Sequence, residues 1–522
     1  MSLNCQKPPI LIVGAGPAGL VLALSLLQNG VPVRIIEKDL EYHAGQRGAG
    51  VMPRTLEMYH FLGVLPDVFA QSADPLPMQS YEIPGGRVPL KTWRMSAVED
   101  PTSDIPWPNA TMLGQDTAEA ILRRHLQQHG CEVELGARLV SFVDTGDNVE
   151  ACLAKLKVGG EQEVIENARF KWLIGADGAR SIVRKTLGMD FLGTSRTERH
   201  IIADVHIDGL DMHHLHVFGG GESGLILIWP NERKDGNLMT VYATGPDADY
   251  DAMAADYNAF TNMYAAHVHS LTGAQGLNTS VQDSFNLAWK LALVERGLAS
   301  QALLSTHTEE RLPVVAEVLN ITTGLYNKYL SQTRESSGWQ RGGKLSQLHV
   351  NYRWSSILVD NRCSADSATA KHPYGENDNH SALEGLATLR AGDRAPDATG
   401  LYAPDSGEET RTFDILGTSK HTILLFSTVP DTVAEASKTL DAYPMGLFCI
   451  VIITPSKSQF TLAPGEDLRL FNDTQGHAHK SYWVPDGVTT IVVIRPDGMV
   501  GAIVLDVEGL KKYQLRIFLA GF

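Results

Sequence analysis

Six residues near the start of the chain, Gly14-Ala15-Gly16-Pro17-Ala18-Gly19, constrain its fold more than any other feature. A short apolar run, Pro9 to Val13, precedes them, and a helical pattern through Leu20, Leu24 and Leu27 follows, closed by Asn29-Gly30. A second strand, Val31 to Ile36, ends at Glu37. Strand, glycine turn, helix and strand make a βαβ unit of the doubly wound type. Gly14 permits the tight turn, Gly16 lets the backbone approach a pyrophosphate, and Gly19 lets the helix pack on the strand. Pro17 and Ala18 open the helix, whose free N–H groups and positive end face the phosphates. Glu37 is placed to accept both ribose hydroxyls, and Lys38 beside it is counted with the nucleotide-binding residues. An acid at this position favours a free 2′-hydroxyl, hence FAD or NAD rather than NADP.

The rest of the composition narrows the class. A chain of 522 residues is too long for one core and implies two to four domains. The formal net charge of −16 repels nucleic acid and anionic membranes. No run of eighteen apolar residues exists, so no membrane span is expected. Five cysteines (Cys5, Cys131, Cys152, Cys363 and Cys449) show no Cys-x-x-Cys or zinc spacing, which fits a reducing, cytoplasmic setting. His267 and His269 form a His-x-His pair with no third ligand at a recognisable spacing, so no metal is expected. Tyr264, Asp256 and His216 are read as ordinary residues.

Further along, the helical period fades from Met78 to Asn109 and returns over Thr117 to His129. Cys131 to Ile165 alternates with turn signals at Gly146-Asp147 and Gly159-Gly160, predicting a hairpin-rich sheet. Residues 198 to 245 alternate again and predict part of a second sheet that roofs a ligand cavity. A helical zone from Gln282 to Tyr329 is expected to break near Gly297 and Pro313. A Ser-, Asp-, Lys- and His-rich linker follows. Strands are then predicted at Thr422–Phe426, Phe448–Ile453, Thr489–Ile494 and Met499–Val504, within a separate small α/β domain.

Two more motifs carry a resemblance. Leu173-Ile174-Gly175-Ala176-Asp177-Gly178-Ala179-Arg180-Ser181 follows an apolar strand, and Gly273-Ala274-Gln275-Gly276-Leu277-Asn278-Thr279 runs into Asp283, Asn286, Leu287, Trp289 and Lys290. With the first glycine loop, in this order, they resemble the fingerprints of the FAD-dependent aromatic hydroxylases, the group A flavoprotein monooxygenases. The resemblance spans nearly the whole chain and is closest to the phenol-hydroxylase-like branch; the overall look resembles fungal secondary-metabolism members. It implies that Asp177 lies close to both FAD and the incoming pyridine nucleotide. It also implies that Gly273, Gly276, Leu277 and Asn278 place backbone N–H groups and a helix N-terminus beside the flavin's N1–C2=O edge. Arg47 and Gln115 match the family's cofactor contacts, whereas Arg54 and Arg311 are read as structural.

The implied fold is a Rossmann-type FAD-binding domain (residues 1–77, 110–184 and 262–362) with an inserted mixed β-sheet substrate domain (78–109 and 185–261). A linker (363–388) leads to a C-terminal thioredoxin-like α/β domain (389–522). That domain lacks Cys-x-x-Cys, which excludes dithiol redox work; an oligomer-contact role is the default, with a homodimer as the expected assembly. The implied activity uses NAD(P)H and O2 to hydroxylate a small aromatic or phenolic molecule through a C4a-hydroperoxyflavin. The alternatives are a related flavin epoxidase or oxidative dearomatase, and an impaired, non-catalytic member used for binding or assembly.

Two departures from the family stand out. Where members carry Gly-Asp-Ala-Ala-His, this chain reads Asn262-Met263-Tyr264-Ala265-Ala266-His267, and the segment before it, Asp251 to Thr261, is short by several dozen residues and reads as one helical stretch. Either the fold is locally rebuilt, or FAD is held poorly, or the chain derives from an altered splice form. Phenol hydroxylases also place an aspartate two residues beyond the position of Arg47; here it is Ala49, and no catalytic base is assigned.

Overall fold

The computed structural model describes residues 9–45, 49–81, 88–156, 163–190, 201–219, 225–231, 236–244, 275–331, 343–362, 372–374, 389–456, 458, 460 and 468–519. Arg47, Gly273, the 251–267 stretch with Asp256, Tyr264 and His267, His269, and most of the expected linker lie outside them.

The N-terminal unit is a parallel sheet in the order Trp172–Gly175, Ile10–Val13, Val33–Glu37, Val133–Leu135. Its central strand, Ile-Leu-Ile-Val, is buried on both faces, as a parallel strand under crossover helices must be. The helices Pro17–Gln28, Gln115–Gln128 and Gly276–Glu295 pack together in one apolar core with that sheet. The alternating region gives an antiparallel sheet of Ala137–Asp144, Val149–Leu156 and Glu163–Phe170, as its hairpin signals predict.

A third sheet, of six strands, draws on two separate parts of the chain: Met78–Tyr81 and Pro89–Trp93 join Ile201–His206, Leu215–Gly219, Leu225–Pro230 and Leu238–Thr244. Its apolar face forms a core of its own around Met78, Leu215, Leu227 and Val241.

The C-terminal sheet has eight strands, and the four predicted from sequence form its centre. Phe448–Pro455 and His421–Phe426 are parallel; Thr490–Ile494 and Val500–Val504 follow antiparallel. Helix Pro430–Leu440 connects the parallel pair and helix Val507–Ile517 follows the last strand. One face of the sheet packs on Trp289, Leu293 and Val294, so this unit rests directly on the Gly276–Glu295 helix.

The long helical zone differs from expectation in two ways. Its first helix begins at Gly276, ahead of Gln282, and Pro313 lies inside a continuous helix, Ala302–Ser331, rather than ending it. Proline removes one N–H and frees the carbonyl four residues earlier. That carbonyl, on Glu309, accepts a 2.7 Å hydrogen bond from the Trp354 indole, so a side chain from another element satisfies what the helix cannot. The break at Gly297, where φ is +72°, is as expected.

Candidate functional site

The glycine loop shows which of its positions serve the fold and which leave room. A Cβ on Gly14 would stand 2.3 Å from the Ala176 carbonyl oxygen, and Gly14 has a φ of +105°. A Cβ on Gly19 would stand 2.0 Å from the Gly14 carbonyl oxygen. Both are closed by backbone. A Cβ on Gly16 meets nothing within 4 Å, so the space beside it is free for a ligand. No side chain caps the helix, and Pro17 occupies its first turn. The first intrahelical bond, Leu20 N to Gly16 O at 3.0 Å, leaves the amides of Ala18 and Gly19 without helical partners. Open space, free amides and a helix N-terminus together fit a diphosphate.

Glu37 stands at the end of the next strand and accepts a 3.0 Å hydrogen bond from the Ala15 amide, which ties the strand end to the loop. Its other oxygen accepts from the Asp39 amide at 3.3 Å, and a carboxylate has lone pairs beyond those two bonds, enough to meet a ribose. Lys38 is exposed and pairs with Asp39 at 2.7 Å. Gln115 opens its helix and donates to Glu119 at 2.8 Å. Asp177 follows the strand beside Gly14, and one of its oxygens accepts from the amides of Ile182 and Val183, at 2.7 and 3.3 Å, at the start of helix Ile182–Thr186.

The last glycine motif opens the Gly276–Glu295 helix. Gly276 is exposed with open space at its Cβ position, and Leu277 packs partly on the N-terminal core. Asn278 is fully buried. Its oxygen accepts from Met52 N (2.8 Å) and the Thr55 hydroxyl (2.7 Å), and its nitrogen donates to Gly50 O (3.0 Å). The Asn278 side chain therefore clamps two segments together, and any cofactor contact there falls to the backbone. Gln275 Nε2 and Thr279 Oγ1, in the same turn, are buried without hydrogen-bond partners.

Behind this helix lies a cluster of buried charges. Lys290 and Arg495 both bind Glu310 at 2.7 Å, Arg495 also pairs with Asp497, and all are 2% exposed or less. Burial draws the Lys290 ammonium down to about 8. Burial alone would raise the Glu310 carboxyl, but Arg495 and Lys290 outweigh it and hold it well below its ordinary value. Arg54 pairs with Glu57 at 2.6 Å and donates to the Asp497 carbonyl, and Arg394 reaches Glu57 at 2.8 Å. Arg54 is thus structural, as the sequence suggests, and the cluster joins the C-terminal unit to the helix that starts at Gly276.

Between the N-terminal unit and the six-stranded sheet is a cavity of about 310 Å³. One wall is Ala49, Ala73 and Met112; the other includes Met95, Met212, Leu215 and Trp229, with Asp74 and Asn231 as its polar side chains. Ala49 thus lines this cavity. A more open groove of about 490 Å³, lined by Phe69 and Trp107 among others, shares Ala73 and Asp74 with it. His216 lies on the opposite face of its strand from Leu215 and is fully buried, hydrogen-bonded to Tyr81 and to the Asp211 carbonyl, an ordinary structural role. Among the described residues no group of His, Cys, Asp and Glu is arranged to hold a metal, and no helix is long and apolar enough to cross a membrane. The sheet side of this cavity falls within residues 198 to 245, where the sequence predicts a roof, whereas the facing residues Ala49, Ala73, Asp74, Met95 and Met112 come from separate segments that no local pattern links. Gln275 lies within the last glycine motif, but nothing in the sequence marks its partners.

A family model described as an FAD binding domain matches residues 7–252 and 264–322. The match breaks between them, at the stretch where the sequence departs from Gly-Asp-Ala-Ala-His. A flavin-dependent monooxygenase of Mycobacteroides abscessus is 31% identical over 554 residues, covering 97% of this chain and 99% of that protein. The alignment is longer than the 522 residues here, so the relative carries stretches this chain lacks. Pentachlorophenol 4-monooxygenase of Sphingobium chlorophenolicum is 27% identical, covering 94% of this chain and 93% of that one. Aklavinone-11 hydroxylase in complex with FAD and aklavinone shares the fold, with a TM-score of 0.71 at 23% identity, covering 99% of this chain and 100% of that one.

Proposed function

This chain belongs to the FAD-binding-domain family of flavin-dependent aromatic monooxygenases, and from that premise we propose how its own residues serve the reaction. The protein is an FAD-dependent monooxygenase of aromatic compounds. The observation that carries the residue assignment is the glycine loop: Gly14 and Gly19 are closed by backbone while Gly16 opens on free space at a helix N-terminus.

The amides of Ala18 and Gly19 hold the diphosphate, Glu37 with its neighbour Lys38 meets the ribose, and Gln115 and Asp177 flank the cofactor where the Gly14 turn touches Ala176. The backbone at Gly276, Leu277 and Asn278 meets the flavin edge, with Gly273 and Arg47 assigned to the cofactor by their family motifs. Bound FAD supplies the electron transfer from NAD(P)H and the activation of O2.

The cavity beside Ala49 takes the aromatic substrate. Its apolar wall excludes water, and its methionines adapt to rings of different outline and offer sulfur to ring edges. Relatives named for pentachlorophenol, 6-methylpretetramide and aklavinone support an aromatic occupant and a role in secondary metabolism. With alanine at position 49, acceptance of a proton from a substrate hydroxyl falls to Asp74, the carboxylate in the wall.

The C-terminal unit is a thioredoxin-like domain. Support comes from its strand order, a parallel pair bridged by a helix and followed by an antiparallel pair and a terminal helix. Its role is contact between two copies of the chain and support of the Gly276 helix, since it has no Cys-x-x-Cys.

The test is oxygen incorporation. With NADPH, 18O2 and a panel of hydroxyanthraquinones, the purified holoenzyme yields a product two mass units heavier than that from 16O2, and Asp74→Asn slows its formation and moves its pH profile. NADPH consumption that gives only hydrogen peroxide across the panel would defeat the aromatic assignment of the cavity.

A further inference from the structure

Gln347 is one of two non-glycine residues with positive φ among those described, at +61°, and it is 1% exposed. A buried glutamine in a left-handed conformation is strained, and such strain persists only where surrounding contacts impose it. The contacts are two side-chain amides. Gln347 Nε2 donates to Gln275 Oε1 at 2.8 Å, and Gln282 Nε2 donates to Gln347 Oε1. Gln282 in turn accepts from Arg311 Nη1 at 3.3 Å, and Arg311 is fixed by Asp283 at 2.7 Å and Tyr352 at 3.0 Å. All three glutamines and Arg311 are at least 96% buried.

The chain of bonds has a direction that chemistry dictates. A guanidinium only donates, so Gln282 must present its oxygen to Arg311 and its nitrogen to Gln347. Gln347 must then present its nitrogen to Gln275, whose oxygen is thereby occupied. The last group in the series is a donor, Gln275 Nε2, and it is buried without a partner immediately before the first residue of the Gly276–Glu295 helix. Thr279 Oγ1, one turn away, is buried and unpartnered as well. Two unsatisfied polar atoms at one helix start are an arrangement that a bound group completes.

We propose that Arg311, Gln282 and Gln347 form a positioning relay that holds Gln275 as a side-chain hydrogen-bond donor to the pyrimidine edge of the flavin, favouring its anionic reduced form. This rests on the flavin placement proposed above and adds to it a side-chain donor and the distant residues that orient it. A donor aimed where charge develops on reduction binds the reduced cofactor more tightly than the oxidised one and raises the reduction potential.

Gln347→Gly removes the amide and relaxes the backbone strain; Gln275→Leu removes the donor itself. FAD titration of the wild type comes first: if it binds no flavin, the relay falls together with the flavin placement. Given binding, each variant is expected to lose about tenfold in preference for reduced over oxidised flavin, a fall in potential of about 30 mV for a two-electron couple. The double variant falls no further, because both substitutions cut one series. Lowered thermal stability with an unchanged potential in both variants would overturn the relay and leave Gln347 as packing alone.

Discussion

The two glycine motifs proposed to hold the cofactor are built by opposite means. At the Gly14–Glu37 end, the groups that would meet the ligand are local: one strand, one loop, one helix and the next strand bring together backbone amides, free space and a carboxylate, and only the packing of Gly14 on Ala176 comes from afar. At the Gly276 end, almost nothing is local. Asn278 reaches Gly50, Met52 and Thr55, Gln275 leans on Gln347, and the helix behind is braced by Glu310, Arg495 and Asp497. A phosphate needs only amides and a helix end, which a short sequence can encode. Holding a ring system at a defined edge needs a rigid, fully bonded surround, and that takes long-range partners.

The sharpest way to break the contrast is to strike the distant brace. Arg495→Leu strands the Glu310 and Asp497 carboxylates in the interior, and a loss of about 3–5 kcal/mol is expected from urea unfolding. If the C-terminal unit merely leaned on the helix, the loss would be under about 1 kcal/mol.

The local end is separated into fold and function by two glycines. Gly16→Val fills only free space, so the apo-protein is expected to melt at the wild-type temperature while FAD binding weakens at least about a hundredfold, or about 2.7 kcal/mol. Gly14→Val drives a side chain into the Ala176 backbone and lowers the melting temperature even without FAD. Equal melting temperatures for the two variants would mean that the loop does not divide in this way.

Acid probes the junction between the helix and the C-terminal sheet. His421 is buried against Trp289, Phe448, Tyr513 and Phe518, its Nε2 has no partner, and burial lowers it from 6.5 to about 3. Between those values the unfolded chain binds a proton that the native state refuses. This contribution is therefore complete above pH 6.5 and declines as pH falls, by up to about 1.4 kcal/mol per unit. At pH 5, His421→Phe is expected to be more stable relative to wild type than at pH 8, by about 2 kcal/mol. A difference that does not change with pH would contradict the burial argument.

The smallest expected effect concerns Pro313. Trp354→Phe removes the donor to the Glu309 carbonyl and costs about 1 kcal/mol. Added to Pro313→Ala, which restores the helical donor, the same substitution is expected to cost measurably less.

The βαβ unit and the close packing at Gly14 and Gly19 are legible in the sequence, because glycine spacing and strand periodicity act over a few positions. The sequence also placed the four central strands of the C-terminal sheet within one residue at each end, save that Phe448–Pro455 runs two residues further. It missed that Pro313 stays within a helix, since the compensating donor lies on Trp354. It named Asn278 but not its clamp, and it gave no sign of Gln347, whose strained backbone follows from its partners and not from its neighbours in the chain. The alanine at position 49 was legible, yet only the structure shows that this position lines the cavity between the two sheets.

The most direct test of the account is an equilibrium titration of the purified, folded chain with FAD, followed by flavin fluorescence alongside the Gly16→Val variant. Saturable one-to-one binding by the wild type, lost in the variant, is the expected result. A wild-type chain that melts cooperatively yet shows no saturable response to FAD would contradict it.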